Sequence, residues 1–195
     1  MPRVKYRELL ARLQHADAFH VSLLKQLVGD GYARLLLYNL RRQNRVLRLM
    51  RGWYSFKKSP YLLWIPLRGY VGLGHAATFW GLWDQACIIT ILTPRRVREG
   101  DRWVGEERVL VKRIPPSLLF GLTTVYIDDV PVRISDPEKT LIDLAFFNHP
   151  CLDEILSRAE EVIDRTRLQQ HLAELQKKKP YRFRRVMKKL QPLWK

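Results

Sequence analysis

Cysteine, acidic residues and long apolar runs are all scarce in this chain of 195 residues. The two cysteines, Cys87 and Cys151, are too few and too isolated for a disulfide framework or a thiolate metal site. No window reaches the ~18 uncharged residues that a membrane-spanning helix needs, and residues 1–10 hold no apolar run of the signal-peptide kind. These absences predict a soluble cytoplasmic protein with no membrane partner.

Common catalytic and cofactor-binding motifs are also missing. The glycines of residues 69–81 form neither a GxGxxG fingerprint nor a phosphate-binding loop ending in GK[ST]. His75, His149 and Cys151 do not stand at metal-ligand spacings such as HxxxH or CxxC. We therefore predict no cofactor, no metal site and no catalytic residue, so that the protein is not an enzyme.

The shortage of acidic residues leaves 35 basic against 19 acidic side chains, a net charge of +16 and a pI near 10.2. Residues 1–60 hold 13 basic and 3 acidic side chains, residues 61–150 hold 10 of each, and residues 151–195 hold 12 and 6. A basic segment attached to a neutral one is expected of a binding module joined to a domain with another task. The charge favours a polyanionic partner: DNA, RNA or an acidic membrane surface.

Apolar residues at helical spacing predict three short helices near the N-terminus. The pattern i, i+3, i+4, i+7 recurs over residues 6–13 and 33–40, and a shorter apolar face covers residues 21–28. Two short helices with so short a connection between them indicate a helix-turn-helix. Candidate capping or terminating residues between the helices are Asp17, Gly29 and Asp30.

The third predicted helix has a second face rich in arginine. Arg34, Tyr38, Arg41 and Arg45 fall within a narrow stripe about 120° from the leucines, at ~100° per residue. An α-helix fits the major groove of DNA, where guanidinium groups bind phosphates or pair with guanine. The alternative is a solvated basic face, but the basic surroundings favour DNA. The predicted DNA-binding residues are Arg34, Tyr38, Arg41, Arg42, Arg45, Arg48 and Arg51.

A β-hairpin follows the third helix, with strands near 46–50 and 53–56 and a tight turn at Arg51-Gly52. Three helices and a hairpin, in this order, predict a winged helix-turn-helix domain over residues 1–59, closed by Ser59-Pro60. Residues 60–195 predict a mixed α/β domain ending in helices, so the fold class is α+β. Its predicted elements are a helix at 74–83, strands at 88–92, 109–112, 124–127 and 130–135, a polar loop at 93–105, and a helix after Asp136.

Two other functions compete with DNA binding. A winged helix can also hold structured RNA, although no aromatic stacking platform is evident. A metal-dependent nuclease would use a carboxylate pair and a lysine, for which the candidates are Asp128, Asp129, Asp136, Glu138 and Lys139. Adjacent residues of a helix point ~100° apart, so Glu138 and Lys139 fit this chemistry poorly, and Asp136 and Glu138 are better explained as helix-start residues.

The C-terminal segment is strongly basic and carries several apolar residues, over residues 177–195. Three uses stay open for this segment. It can be a solvated helix that covers the preceding domain, an auxiliary DNA contact, or a helix on a membrane surface.

Three segments together resemble the AbiEi family, the antitoxins and transcriptional regulators of type IV toxin–antitoxin systems. The wing pattern R-G-x-Y of that family is matched by Arg51, Gly52 and Tyr54. Its helix of the form S-A-L-x-x-H-G-L-x-D-Q is matched in part by residues 75–85, where His75 replaces serine and Trp80 replaces histidine. Its P-E-K-x-L-x-D element is present as Pro137, Glu138, Lys139, Leu141 and Asp143.

The resemblance covers roughly residues 20–150 and implies an autoregulatory role. Members of the family bind inverted repeats in their own promoter through an N-terminal winged helix. They counter a nucleotidyltransferase-like toxin through the C-terminal domain, without forming a stable complex with it. For this chain the resemblance implies a repressor and antitoxin that binds double-stranded operator DNA.

Overall fold

The computed structural model describes residues 4–194, so residues 1–3 and 195 of the two predicted domains lie outside it. The described part mixes helices and strands, in agreement with the predicted α+β class. No helix within it is long and apolar enough to cross a membrane. The N-terminal elements are α1 (Val4–His15), β1 (Phe19–His20), α2 (Val21–Val28), α3 (Asp30–Arg42), β2 (Leu47–Met50) and β3 (Trp53–Ser55).

The remaining elements build a larger sheet and its covering helices. A 3-10 turn at Pro60–Leu63 leads into this part, and two more lie at Pro116–Leu118 and Gln191–Trp194. The strands are β4 (Tyr70–Val71), β5 (Ile89–Thr93), β6 (Gly100–Val104), β7 (Glu107–Arg113), β8 (Leu122–Ile127) and β9 (Val130–Ser135). The helices are α4 (Trp64–Leu67), α5 (Leu73–Phe79), α6 (Pro137–Phe147), α7 (Leu152–Ala159), α8 (Arg165–Lys178) and α9 (Pro180–Leu190).

The N-terminal helices pack around their own small core, which includes Leu13, Leu24 and Leu37. The hairpin β2–β3 has the predicted two-residue turn, and β1 adds a third strand in the order β1-β3-β2. Strand β1 is absent from the sequence-based prediction, because two residues are too few to show an alternating pattern.

The prediction that Asp17 caps the second helix is wrong: His20 caps it, and Asp17 pairs instead with Lys57 at 2.6 Å.

The larger sheet has six strands in the order β6-β7-β5-β4-β9-β8. Strand β5 is parallel to β7, β4 is parallel to β9, and the other neighbouring strands are antiparallel. The predicted polar loop at 93–105 is partly wrong, because β6 pairs with β7 along this stretch. An edge strand that leaves Asp101 and Trp103 exposed has no continuous apolar run, which explains why the sequence resembles a loop.

Helices cover one face of the six-stranded sheet, and the N-terminal hairpin reaches the other. The first core holds Leu141, Ile155 and Leu172 from α6, α7 and α8. The second core holds sheet residues such as Ile91 and, from the hairpin, the buried Leu49. Apolar packing therefore crosses residue 59, where the sequence predicts a domain boundary.

A charged pair lies inside the first core. Lys139 and Asp143, one turn apart on α6, are both fully buried and form an ion pair. The hydroxyl of Tyr70 donates to Asp143 at 2.8 Å and accepts from Lys139 at 3.2 Å. Burial lowers the pKa of Lys139 and raises the pKa of Asp143, because removal from water disfavours each charged form. The two charges depend on each other, since neither has contact with solvent.

Removing one member of this pair will therefore cost more than removing both. We expect Lys139→Met to lower the free energy of unfolding by about 3–5 kcal/mol, because it leaves Asp143 buried without its cation. The double variant Lys139→Met/Asp143→Leu should recover part of that loss. Urea unfolding of the wild type, both single variants and the double variant measures the coupling between the two residues. A cost below about 1 kcal/mol for Lys139→Met would contradict the interpretation.

Candidate nucleic-acid interface

Helix α3 divides its side chains between the core and the solvent. Ala33, Leu37 and Leu40 are buried against the first two helices. On another side of the helix Arg34 and Tyr38 are exposed, and Tyr38 keeps 62% of its surface in contact with solvent. The predicted separation of an apolar and a basic side on this helix is confirmed.

The predicted place of Arg45 on this helix is wrong. The helix ends at Arg42, because Asn44 takes a left-handed backbone conformation with φ of +50°. Arg45 follows in the turn, where its backbone N–H donates to Leu40 O at 2.8 Å. Its side chain is exposed but no longer continues the stripe of the helix.

A groove of about 610 Å³ lies between α3 and the hairpin, and we call it the basic groove. Five of the seven predicted DNA-binding residues line it, whereas Arg42 and Arg45 are exposed elsewhere. The five come from two separate elements, so the hairpin completes a surface that the helix begins. The predicted residues in its lining are Arg34, Tyr38, Arg41, Arg48 and Arg51.

One acidic residue stands at the edge of the basic groove. Asp30 pairs with Lys25 at 2.5 Å and also with Arg34. The hydrogen bond from Lys25 is the largest factor that lowers the pKa of Asp30. The prediction that Asp30 caps α3 is wrong: Gly29 occupies the cap position, and Asp30 lies in the first turn as an ion-pair partner. Arg34 is therefore partly neutralised, while Arg41, Arg48 and Arg51 make no ion pair within residues 4–194.

The tip of the hairpin is held against the start of α2. Gly52 has φ of +81°, and a Cβ atom there would come within 2.6 Å of His20 Nε2. The backbone N–H of Val21 donates to Gly52 O at 2.8 Å, and the rings of His20 and Trp53 lie 5.3 Å apart. These contacts fix the hairpin tip, which carries Arg51, against the start of α2.

Sequence reasoning missed several residues that line the basic groove, among them His20 and Lys25. His20 belongs to the two-residue strand that no pattern reveals, and it also caps α2 through Nδ1, which accepts from Ser22 N at 3.3 Å. Lys25 lies on α2, where only the apolar face gives a periodic signal. The opposite charges of Lys25 and Asp30, on either side of the turn between α2 and α3, are the signal that could have predicted the place of Lys25 in the groove.

The carboxylates considered for a nuclease fall into two separate groups, Asp128 with Asp129 and Asp136 with Glu138. Asp128 and Asp129 form the turn between β8 and β9, both at positive φ. Asp136 lies at the other end of β9, about 20 Å away at ~3.3 Å per residue. Asp136 caps α6 as predicted, by accepting from the Lys139 N–H at 2.7 Å. The amine of Lys139 is fully buried in its pair with Asp143.

Comparison with solved structures shows that the fold of this chain also occurs elsewhere. No protein-family model matches the chain, and no curated protein does. Among solved structures, the chain is similar to the crystal structure of the Rv2827c protein from Mycobacterium tuberculosis. The TM-score is 0.58 and the sequence identity 18%, over 96% of this chain and 75% of that one. At this identity the likeness shows a shared fold alone.

The contact at the hairpin tip predicts a specific sensitivity to Gly52→Ala. An L-residue at φ near +80° costs about 1–2 kcal/mol, and the added methyl group must also displace the ring of His20. We expect a lower midpoint of thermal unfolding. The matched control is Gly31→Ala in the first turn of α3, where a Cβ atom would have no neighbour within 4 Å, so its midpoint should stay the same or rise. Equal effects from the two substitutions would show that the packing at Gly52 is unimportant.

Proposed function

We propose that the chain is a transcriptional regulator that binds double-stranded DNA in a sequence-specific manner. In this proposal the N-terminal part is a winged helix, α3 is the recognition helix and the β2–β3 hairpin is the wing. The main support is the basic groove, in which arginines of a helix and of a neighbouring hairpin face the same space. A duplex presents phosphates along both sides of a groove, so cations on two separate elements of a protein can contact both backbones.

The geometry of the basic groove suggests how the contacts are shared. Helix α3 can enter the major groove with Arg41 and Tyr38 toward base edges, because these side chains are exposed on a face away from the buried leucines. Arg51, at the tip of the hairpin, would then bind the neighbouring phosphate backbone or the minor groove. Phosphate contacts supply affinity and register, and the helix supplies sequence discrimination.

We further propose that the regulator is an antitoxin of the AbiEi type. The basis is the resemblance of the wing, the helix at 75–85 and the element at 137–143 to that family. On this proposal the protein represses its own operon at inverted repeats and counters a nucleotidyltransferase-like toxin without a stable complex. The proposal requires a reading frame for such a toxin beside the gene of this chain.

The two alternatives receive less support. The lysine of a nuclease of the kind considered would have to reach the substrate, whereas the amine of Lys139 is buried and paired with Asp143. Structured RNA remains a competing ligand for a basic groove, because phosphates are common to both polymers. The helix–hairpin arrangement favours a duplex with a wide major groove that admits a helix, which B-form DNA has and A-form RNA lacks.

The first test removes one arginine from each wall of the basic groove. We expect Arg41→Ala/Arg48→Ala to weaken binding to a duplex taken from directly upstream of the gene by at least tenfold. The slope of log K against log salt should become less steep by about one for each phosphate that an arginine no longer neutralises. Fluorescence anisotropy at several salt concentrations measures both quantities.

Two control variants show where the protein touches the duplex. Arg42→Ala/Arg45→Ala removes the same charge from exposed positions outside the groove, and Arg98→Ala/Arg113→Ala removes it from the six-stranded-sheet part. Both should change the affinity less than threefold. If the Arg42/Arg45 pair has the larger effect, the groove is not the contact surface. If a duplex RNA competes as well as the DNA, the proposal of a DNA-specific regulator fails.

The second test concerns the acidic residue at the edge of the basic groove. Asp30→Asn should tighten binding to the same duplex several-fold, because it removes a charge that repels phosphate and releases Lys25 and Arg34 from their ion pairs. The salt dependence should become steeper. Asp101→Asn is the matched control, since Asp101 also pairs with an exposed arginine, Arg108, but lies on β6. Unchanged affinity for Asp30→Asn would mean that Lys25 and Arg34 do not face the DNA.

A further inference from the structure

Three side chains that can bind metal ions meet where α6 begins. Asp136 caps this helix, Glu138 lies in its first turn, and His171 comes from the middle of α8. One ligand atom from each lies within 4.8 Å of the others. Asp136 Oδ2 and His171 Nε2 are 2.8 Å apart. Both acidic residues are buried, with 8% of the surface of Asp136 and 2% of that of Glu138 exposed.

One oxygen in this cluster has no partner. Glu138 Oε1 accepts from the backbone N–H of Asp164 at 2.7 Å, but Glu138 Oε2 is buried without a hydrogen bond. A buried carboxylate oxygen without a donor is costly, and such atoms call for an explanation such as an ion. The bond from Asp164, at the start of α8, accounts for the first oxygen and leaves the second one unexplained.

The nearby cations do not satisfy this cluster. The Lys139 amine is engaged by Asp143 and lies 3.2 Å from the Tyr70 hydroxyl. Lys178, on the last turn of α8, pairs with Glu174. Within the described residues, therefore, the side chain that faces the two carboxylates directly is an imidazole. Two carboxylates and one imidazole are ligands that Zn²⁺ and similar divalent transition ions accept.

We propose that Asp136, Glu138 and His171 form a binding site for one divalent transition-metal ion, with Zn²⁺ as the best fit. Bonds of about 2.0–2.2 Å to oxygen and nitrogen place the ligand atoms of a tetrahedral site within the observed separation. The ion takes the place of the proton between Asp136 and His171, and Glu138 Oε2 gains a partner. Water fills the fourth position. This proposal departs from the sequence-based expectation of no metal, and it does not depend on the proposed DNA binding.

The surroundings support a shaped site rather than a chance cluster. Gly121, at φ of +60°, lies so close that a Cβ atom there would come within 2.7 Å of His171 Nε2. The side chains of His171 and Asp136 keep 14% and 11% of their surface exposed, so an ion has a route from solvent. The bound ion would join α8 to the start of α6, two elements that otherwise meet through apolar packing and these polar contacts.

Titration of the chelator-treated full-length protein with Co²⁺ tests the proposal directly. Visible absorption of Co²⁺ reports the number and type of its ligands, and we expect a tetrahedral or five-coordinate spectrum that saturates at one equivalent. An equivalent of Zn²⁺ should then abolish this spectrum by displacement. Glu138→Gln and His171→Gln should each weaken Co²⁺ binding at least tenfold and change the spectrum.

Matched variants separate loss of a ligand from loss of structure. Glu174→Gln changes a carboxylate of α8 that is not a proposed ligand, and His149→Gln changes a half-buried histidine elsewhere; both should bind Co²⁺ as the wild type does. Circular dichroism checks that each variant is folded, and if His171→Gln does not fold, Glu138→Gln carries the test. A hundredfold excess of Zn²⁺ over its Kd should raise the unfolding midpoint of the wild type by about 5–10 °C. Binding at several equivalents with an octahedral spectrum, or binding unaffected by Glu138→Gln, would overturn the proposal.

Discussion

The burial of Ala33, Leu37 and Leu40 determines which side of α3 faces solvent. A rotation of the helix by a single residue would turn arginines into the small N-terminal core, where unpaired charges are prohibitively unfavourable. Burial of the apolar residues therefore sets the direction of the basic side chains, and no contact among the arginines is required. The hairpin must then lie on the correct side of the helix, and the packing of Gly52 against His20 holds it there.

The positive charges in the basic groove repel one another, and this repulsion destabilises the free protein. Arg41, Arg48 and Arg51 face a common space with no carboxylate paired to them in residues 4–194, and Asp30 offsets only the neighbouring Lys25 and Arg34. Mutual repulsion of this kind disappears when a polyanion enters and its condensed counterions leave. The same residues that raise the energy of the free protein are those that a phosphate backbone would stabilise.

Sequence patterns predicted those elements whose signals are local. The leucine spacing of α3, the turn at Arg51-Gly52 and the Asp136-Pro137 start of α6 are each contained within a few residues, and the structure confirms all three. The failures concern features set by distant partners. Strand β6 is defined by its pairing with β7, and His20 and Lys25 join the groove only through tertiary packing. The meeting of Asp136, Glu138 and His171 depends on how α8 returns to α6, which no spacing along the chain expresses.

The buried Leu49 has a consequence for how such a protein can evolve. Leu49 is part of the hairpin, but it packs with Leu62, Ile91 and other residues on the face of the six-stranded sheet opposite α6, α7 and α8. Residues 1–59 cut from the chain would bring a bare apolar patch to the surface and lose support for one wall of the groove. Fusion of residues 1–59 to an unrelated domain is therefore disfavoured. New binding specificities would have to arise by point substitutions within the existing fold.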